Sequence, residues 1–303
     1  MTAVEPQVPA PEEAADPDIE NPRRRNRRRL RRRFVQRPAA VLGLILASFF
    51  VILAVFAPII APYEPGENHF EFLLSSPNAE HWFGTDELGR DTLSRTIWGA
   101  RASMQASVMA TGLAMAAAVP LGLIAGYYRG WGDSVIMRLV DTVLAFPFLI
   151  LAVGLAAIFG PSLLNAAIAI GIGQIPQLIR ITRGEVLAAR EEDYVAGAIA
   201  NGAGDWVILR RHILPNITNT LLVQATVIIP TAILAESVLS FLGLGVQPPQ
   251  TSWGVILSSA QPFLEQAPWL ALFPGAAIFL AALSFNLLGD GLRDVLDPKA
   301  INR

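Results

Sequence analysis

Along this chain the apolar positions gather in long blocks instead of alternating with polar ones. Blocks fall at about 40–61, 103–127, 135–158, 162–180, 218–242 and 270–289. An apolar run of roughly 20 residues makes a helix about 30 Å long, which matches the hydrocarbon thickness of a bilayer. A backbone in lipid must satisfy its own hydrogen bonds, so such blocks read as spanning helices. The pattern predicts an all-α membrane protein with six transmembrane helices. Polar stretches separate the blocks at 63–100, 181–216 and 243–268, and the first carries Glu64, Glu67, Glu71, Glu80, Asp86, Glu87 and Asp91.

Composition supports this. Hydrophobic residues make up 53% of the chain and charged ones 16%, whereas a soluble domain carries about a quarter charged residues. Too little polar surface remains to coat a globule in water. The net charge of -2 hides a gradient: residues 1–22 hold Glu5, Glu12, Glu13, Asp16, Asp18 and Glu20 among Pro and Ala. Such a segment has nothing to bury and reads as a disordered tail. An arginine-rich run, Arg23 to Arg33, follows directly before the first apolar block. Basic residues there hold the cytoplasmic end of a helix against anionic lipid, a better fit to the position than nucleic-acid binding. The chain has no cysteine, which excludes disulfides, thiolate metal sites and cysteine nucleophiles. The first block is longer than the apolar core of a signal peptide and reads as a retained helix.

Basic residues set the orientation. With the N-terminus inside, the cytoplasmic pieces hold the arginine run, Arg129, Arg138, Arg180, Arg183, Arg190, Arg210, Arg211, Arg293, Lys299 and Arg303, while the outer pieces hold Arg90 and Arg95, with Arg101 at a boundary. This is the positive-inside pattern, with both termini cytoplasmic. Pro58, Pro120, Pro147, Pro176, Pro230 and Pro274 recur within the blocks beside many small residues, as expected for helices packed closely in a bundle.

The stretch from Arg190 to Asn216 is longer than a connection requires. Glu191, Glu192 and Asp193 suit a helix N-terminus, the small residues that follow end at Gly202 and Gly204, which suit a helix stop, and Asp205 can cap a second helix beginning at Trp206. Pro215 is expected to close that helix before the fifth span. The result is a thin helix, a tight turn and another helix, fit to seat in a partner's groove.

Here the chain resembles the coupling segment of ATP-binding-cassette (ABC) importer permeases: Glu-Ala-Ala, three residues, Gly, nine residues, a hydrophobic residue, any residue, Leu-Pro. Ala196-Gly197-Ala198 stand at the triplet, Gly202 at the glycine and Leu214-Pro215 at the end. Ala196 replaces the glutamate and His212 the aliphatic residue, which leaves Glu192 and Asp193 as the nearby acids. Three further stretches resemble the dipeptide, oligopeptide and nickel permeases, specifically the second of their two paired permeases. They are His81 to Arg95 with Gly99, Arg101 and Ser103; Ala235 to Pro249 with Ser252-Trp253-Gly254; and Gly289 to Asp294 with Leu296-Asp297-Pro298.

The resemblance implies a type I ABC importer transmembrane domain with a cytoplasmic coupling helix. It divides the chain into a tail at 1–34, a first helix and outer segment at 35–100, the permease core at 101–290 and a tail at 291–303. It implies a second homologous permease subunit, two ATPase subunits that bind ATP and Mg, an extracytoplasmic solute-binding protein, and peptide cargo. Nickel chelates, glutathione or haem-like ligands are alternative cargoes. The chain itself would bind no cofactor or metal and catalyse nothing; it has no Gly-rich loop ending in Gly-Lys-Ser/Thr. Coupling to the ATPase would fall to Glu192, Asp193, Tyr194, Ala196, Gly197, Ala198, Gly202, Ala203, Asp205, Trp206, Leu214 and Pro215. The binding protein would meet Trp82, Gly84, Thr85, Asp86, Gly89, Arg90, Asp91, Gln247, Pro248 and Trp253.

Among charged residues in the spans, Asp141 is expected to pair with Arg138. Glu236, with Ser240 one turn away, either lines the translocation path or bonds to a neighbouring helix, since intramembrane carboxylates are functional candidates by default. His69, His81 and His212 read as exposed and unconnected. Trp253, Trp269, Tyr63, Tyr127 and Tyr128 read as interfacial aromatics. An ion-coupled secondary transporter is the more distant alternative, and it would leave the long cytoplasmic segment unexplained.

Overall fold

The computed structural model describes residue 32 and residues 34–296. Nearly all of the tail assigned to 1–34, and Asp297, Pro298, Lys299 and Arg303 of the tail at the other end, lie outside these residues. In chain order the helices are α1 (Pro38–Ile60), α2 (Thr92–Tyr128), α3 (Gly130–Leu144), α4 (Phe148–Phe159), α5 (Leu163–Arg190) and α6 (Asp193–Ala200). Next come α7 (Asp205–Phe241), which includes a widened π turn at Ile208–Ile213, then α8 (Trp253–Ala260) and α9 (Trp269–Leu296). Among the described residues the single strand-like pairing is the Thr85–Asp91 bridge.

Five helices, α1, α2, α5, α7 and α9, are each long and apolar enough to cross a bilayer. The third apolar block is not a straight span. It is split into α3 and α4, which meet at 90°. Pro147 is the N-cap of α4, and proline disfavours helical backbone at the residue before it, so the helix stops short of Phe146. Counted as one broken crossing, this pair makes the sixth.

The spans also run further than their oily cores. α2 starts at Thr92 because the Asp91 carboxylate accepts the Ser94 N–H and caps it. α5 continues to Arg190, and α7 already begins at Asp205, so most of 181–216 is helix extending past the apolar blocks. Pro215 does not end a helix. The π turn immediately precedes it, where the missing N–H breaks the hydrogen-bond ladder, and α7 continues beyond.

Small side chains decide which helices touch. In α2, Ala106, Ala110, Ala114, Ala118, Gly122 and Gly126 recur every four residues and are all buried. This stripe meets α5: a Cβ on Gly122 would lie 2.5 Å from Thr182 Cβ, and one on Gly126 would lie 2.7 Å from Val186 Cβ. With no hydrophobic drive between helices in lipid, such close approach is what makes dispersion contacts sufficient. α9 rests on α1 in the same way, with Gly43 against Leu287 and Leu288 and Gly291 against Ala40. The outward face of α1 carries Ile45, Phe49, Ile52, Val55 and Ile59, all exposed, which is the face a bilayer would cover.

The bundle thus has two ends. One gathers residues 61–91 and 242–268 with the 3₁₀ turn Phe70–Phe72 and α8; the other gathers α6, the turns that flank it and the α2–α3 junction.

Candidate functional site: the α5–α7 hairpin and the opposite polar knot

The hairpin is built from local rules. α6 ends in two turn-closing hydrogen bonds, Gly202 N–H to the Ile199 carbonyl at 2.9 Å and Ala203 N–H to the Ala198 carbonyl at 3.1 Å. Gly202 sits at φ +75°, the left-handed conformation this closure requires. Gly204, not Asp205, takes the extended cap position, and Asp205 is the first helical residue of α7. Its carboxylate is engaged elsewhere: it accepts the Tyr127 hydroxyl of α2 at 2.9 Å.

That bond is one of several ties across the end of the bundle. Arg190 donates to the Tyr127 carbonyl at 2.6 Å and lies over its ring. Arg183 grips Asp133 with two bonds of 2.5 and 2.7 Å, and Arg129 reaches Glu191 at 2.5 Å. Tyr127, Arg190, Arg183 and Asp133 were not singled out from sequence as coupling residues; they lie far apart along the chain, and each alone looks like an ordinary charge at a helix end. Asp141 pairs with Arg180 at 2.5 Å, not with Arg138; Arg180 lies on α5, and its reach is set by the α3–α5 crossing.

Within α6 only Val195 is buried. Glu192, Asp193, Ala196, Gly197 and Gly202 are exposed, Ala198 and Ala203 partly so, and Leu214 and Pro215 flank the π turn. Tyr194 is 40% exposed, Ile199 52%, Trp206 70% and Val207 38%, so the hairpin presents an apolar tip with no covering element among the described residues. Partial burial, aided by the charge of Glu192, pushes the Tyr194 phenol above its ordinary pKa.

At the other end the polar residues turn inward. The Asp86 carboxylate accepts from the Leu88 and Arg90 N–H groups, both at 2.9 Å, from Arg90 Nε at 2.7 Å, and from Arg95. Asp91 accepts from the Ser94 N–H and hydroxyl, both at 2.7 Å, and lies 2.9 Å from His81 Nδ1. Asp86, Asp91, Thr85, Gly84 and Gly89 are buried, so they hold this segment together and present no surface to a binding protein. Trp253 is fully buried: its indole N–H donates to the Thr96 carbonyl at 3.0 Å and its ring meets Phe50 edge-on. It is neither interfacial nor outward-facing. His81 is 1% exposed, and its ring packs 5.2 Å from that of His69, so these two are neither exposed nor apart. Of the residues expected to meet a partner, Trp82, Gln247 and Pro248 are exposed, and Arg90 partly so.

Glu236 and Ser240 do not line a cavity. Glu236 has 0% exposure and accepts the hydroxyls of Ser103 on α2 and Ser240 on its own helix, both at 2.6 Å. Of the two sequence readings, the bond to a neighbouring helix is the one observed. Among the described residues no three His, Asp or Glu side chains are grouped to hold a metal ion.

Residues 118–302, which contain the hairpin, match the family described as "Binding-protein-dependent transport system inner membrane component", and residues 27–77 match "N-terminal TM domain of oligopeptide transport permease C". A dipeptide transport system permease protein of Alkalihalophilus pseudofirmus is 46% identical over 260 residues, 86% of each chain. A di/tripeptide transport system permease protein of Pseudomonas aeruginosa is 44% identical over 89% of this chain and 91% of its own. A glutathione transport system permease protein of Pectobacterium atrosepticum is 42% identical over 88% of this chain and 89% of its own.

Proposed function

The chain belongs to the binding-protein-dependent transport inner-membrane family, and on that premise we propose that it is one membrane subunit of an ATP-driven importer of short peptides. A second, homologous permease completes the pore, two ATPase subunits bind ATP and Mg on the cytoplasmic side, and an extracytoplasmic binding protein delivers cargo. The chain itself does no chemistry. Its work is to convert a displacement of the hairpin into a rearrangement of the spans.

The observation that carries this reading is the hairpin. Its apolar tip of Tyr194, Ile199 and Trp206 lacks a partner among the described residues, while its base is fastened to α2 by Tyr127–Asp205 and Arg190–Tyr127. A surface left bare but rigidly mounted fits a docking element. The basic residues at this end support a cytoplasmic placement, so both termini face the cytoplasm and the knot around Asp86 faces out. Peptide cargo is supported by the dipeptide and di/tripeptide permeases among the relatives. Glutathione, the cargo named for another relative, uses the same machinery and is the second reading.

Gly197→Trp tests the coupling. A Cβ at Gly197 meets nothing within 4 Å, so the chain accepts the side chain, yet a bulky ring alters the face offered to the ATPase. The expected result is wild-type abundance in the membrane with loss of ATPase co-purification and of peptide uptake. Unchanged co-purification and uptake would exclude α6 as the coupling element. Competition between a dipeptide and glutathione for uptake separates the two cargoes.

A further inference from the structure

With Glu236 walled in, the route of the cargo has to be sought elsewhere, and two recesses on another face of the bundle adjoin one another. A groove of about 170 Å³ lies between the α3–α4 break, α5 and α7, with Phe146, Phe148, Gln174, Gln177, Gln224 and Thr231 in its walls. A second, of about 360 Å³, continues toward the hairpin and shares Ile181 and Gln224 with the first; Glu185, Asn219 and Thr220 line it. On α7 the polar positions run from Asn219 to Thr231, roughly 18 Å at 1.5 Å per residue. On α5, Gln174 and Gln177 lie roughly 16–21 Å from the start of the helix by the same rise, well inside the span.

Amides at that depth are unfavourable against lipid. One face of α9 shows the contrast, with Leu272 and Phe279 65% and 64% exposed. Gln174 is 6% exposed and sits behind the wall, so it is Gln177, Gln224, Asn219 and Thr231 that face water or a polar passenger. A carboxamide both donates and accepts hydrogen bonds, so it matches a peptide group whatever side chain follows. The facing wall is phenyl: Phe148 lies so near α5 that a Cβ on Gly173 would stand 2.9 Å from its ring. No charged side chain lines the upper groove, so nothing there would hold a peptide's termini tightly, as passage requires.

We infer that this stripe is the chain's own half of the translocation path. Gln177 and Gln224 engage the main-chain amides of an extended short peptide, and Phe146 and Phe148 accept its apolar side chains. The cargo class rests on the function proposed above; the path itself does not.

The chain has no cysteine, so single introduced thiols report cleanly. In proteoliposomes holding the complete transporter, Gln177→Cys and Gln224→Cys are exposed to a charged, membrane-impermeant thiol reagent, and labelling is read on this chain. Leu272→Cys and Phe279→Cys mark the lipid side. The glutamine positions are expected to label roughly tenfold faster than the lipid-side pair, because hydrocarbon excludes a charged reagent. Alanyl-alanine, supplied with binding protein and ATP, is expected to slow that labelling. In parallel, Gln177→Leu with Gln224→Leu is expected to reduce alanyl-alanine uptake while the ATPases still co-purify. Labelling as slow as at Phe279 overturns the path. Fast labelling that ignores alanyl-alanine, in vesicles that do import it, overturns the amide contacts. Labelling slowed by another solute, with alanyl-alanine neither imported nor protective, overturns the peptide cargo and upholds the path.

Discussion

Glu236 illustrates how far one residue can be judged from its neighbours in sequence. Ser240 stands one turn away on the same helix and was visible; Ser103 comes from α2, 133 positions distant, and was not. The carboxylate joins the two helices through two hydroxyl donors. Glu236→Gln keeps an acceptor for one hydroxyl and a donor for the other, so uptake close to wild type is expected. Glu236→Leu strands both hydroxyls in a buried site and should lower stability by about 1–3 kcal/mol, read as a fall in the melting temperature of the detergent-solubilised protein. Asp86→Ala should be harsher. Arg95 is 3% exposed with Asp86 as its carboxylate partner, and an uncompensated buried charge costs about 3–5 kcal/mol. The sequence showed Asp86 inside a recognisable motif but not which way it pointed. A polar residue in a polar stretch looks exposed until its partners are known.

At the scale of elements, the apolar blocks located five spans and the place of the sixth, because lipid demands a contiguous oily core. What they could not show were the ends. Helix that extends beyond hydrocarbon is built from polar residues and carries no oily signature, so the last turns of α5 read as loop, and the first turns of α7 read as a separate helix closed by Pro215 instead of the start of the fifth span. The 90° break was half legible: Pro147 was noted among the prolines, yet Pro58, Pro120, Pro176, Pro230 and Pro274 sit inside unbroken helices, and sequence does not say which proline ends a helix. The small-residue stripe of α2 makes the sharpest prediction here. Gly126→Leu would drive its side chain into Val186, and loss of folded protein in membranes is expected, seen as aggregation on size-exclusion chromatography. Tyr127→Phe removes only the hydroxyl that joins α2 to Asp205. A loss of about 1 kcal/mol is expected at that joint, with more ATP hydrolysed per peptide imported as its functional sign.

For the whole molecule, the proposed orientation rests on the charge pattern and the hairpin, and it can be tested directly. Trp82→Cys should react with an impermeant reagent from outside intact cells, and Gly197→Cys only after the membrane is opened; the reverse would invert the topology. The family and the hairpin were legible in the motifs, since a helix–turn–helix is specified by local capping and small residues. The glutamine stripe was not, because it joins one face of α5 to one face of α7 and exists only once those helices cross.

α2 is one unbroken helix of 37 residues, about 55 Å from tip to tip. Its outer tip is anchored by Asp91 and Arg95, and its inner tip is bolted through Tyr127 to the hairpin. Pro120, which removes one hydrogen bond from the ladder, is the point along this shaft where a push could be taken up as a bend. Motion applied at one tip therefore divides between a bend at Pro120 and a tilt of the shaft about the alanines that seat it on α5. On the proposed coupling, the outer mouth takes its timing from the ATPases only in so far as the shaft stays straight.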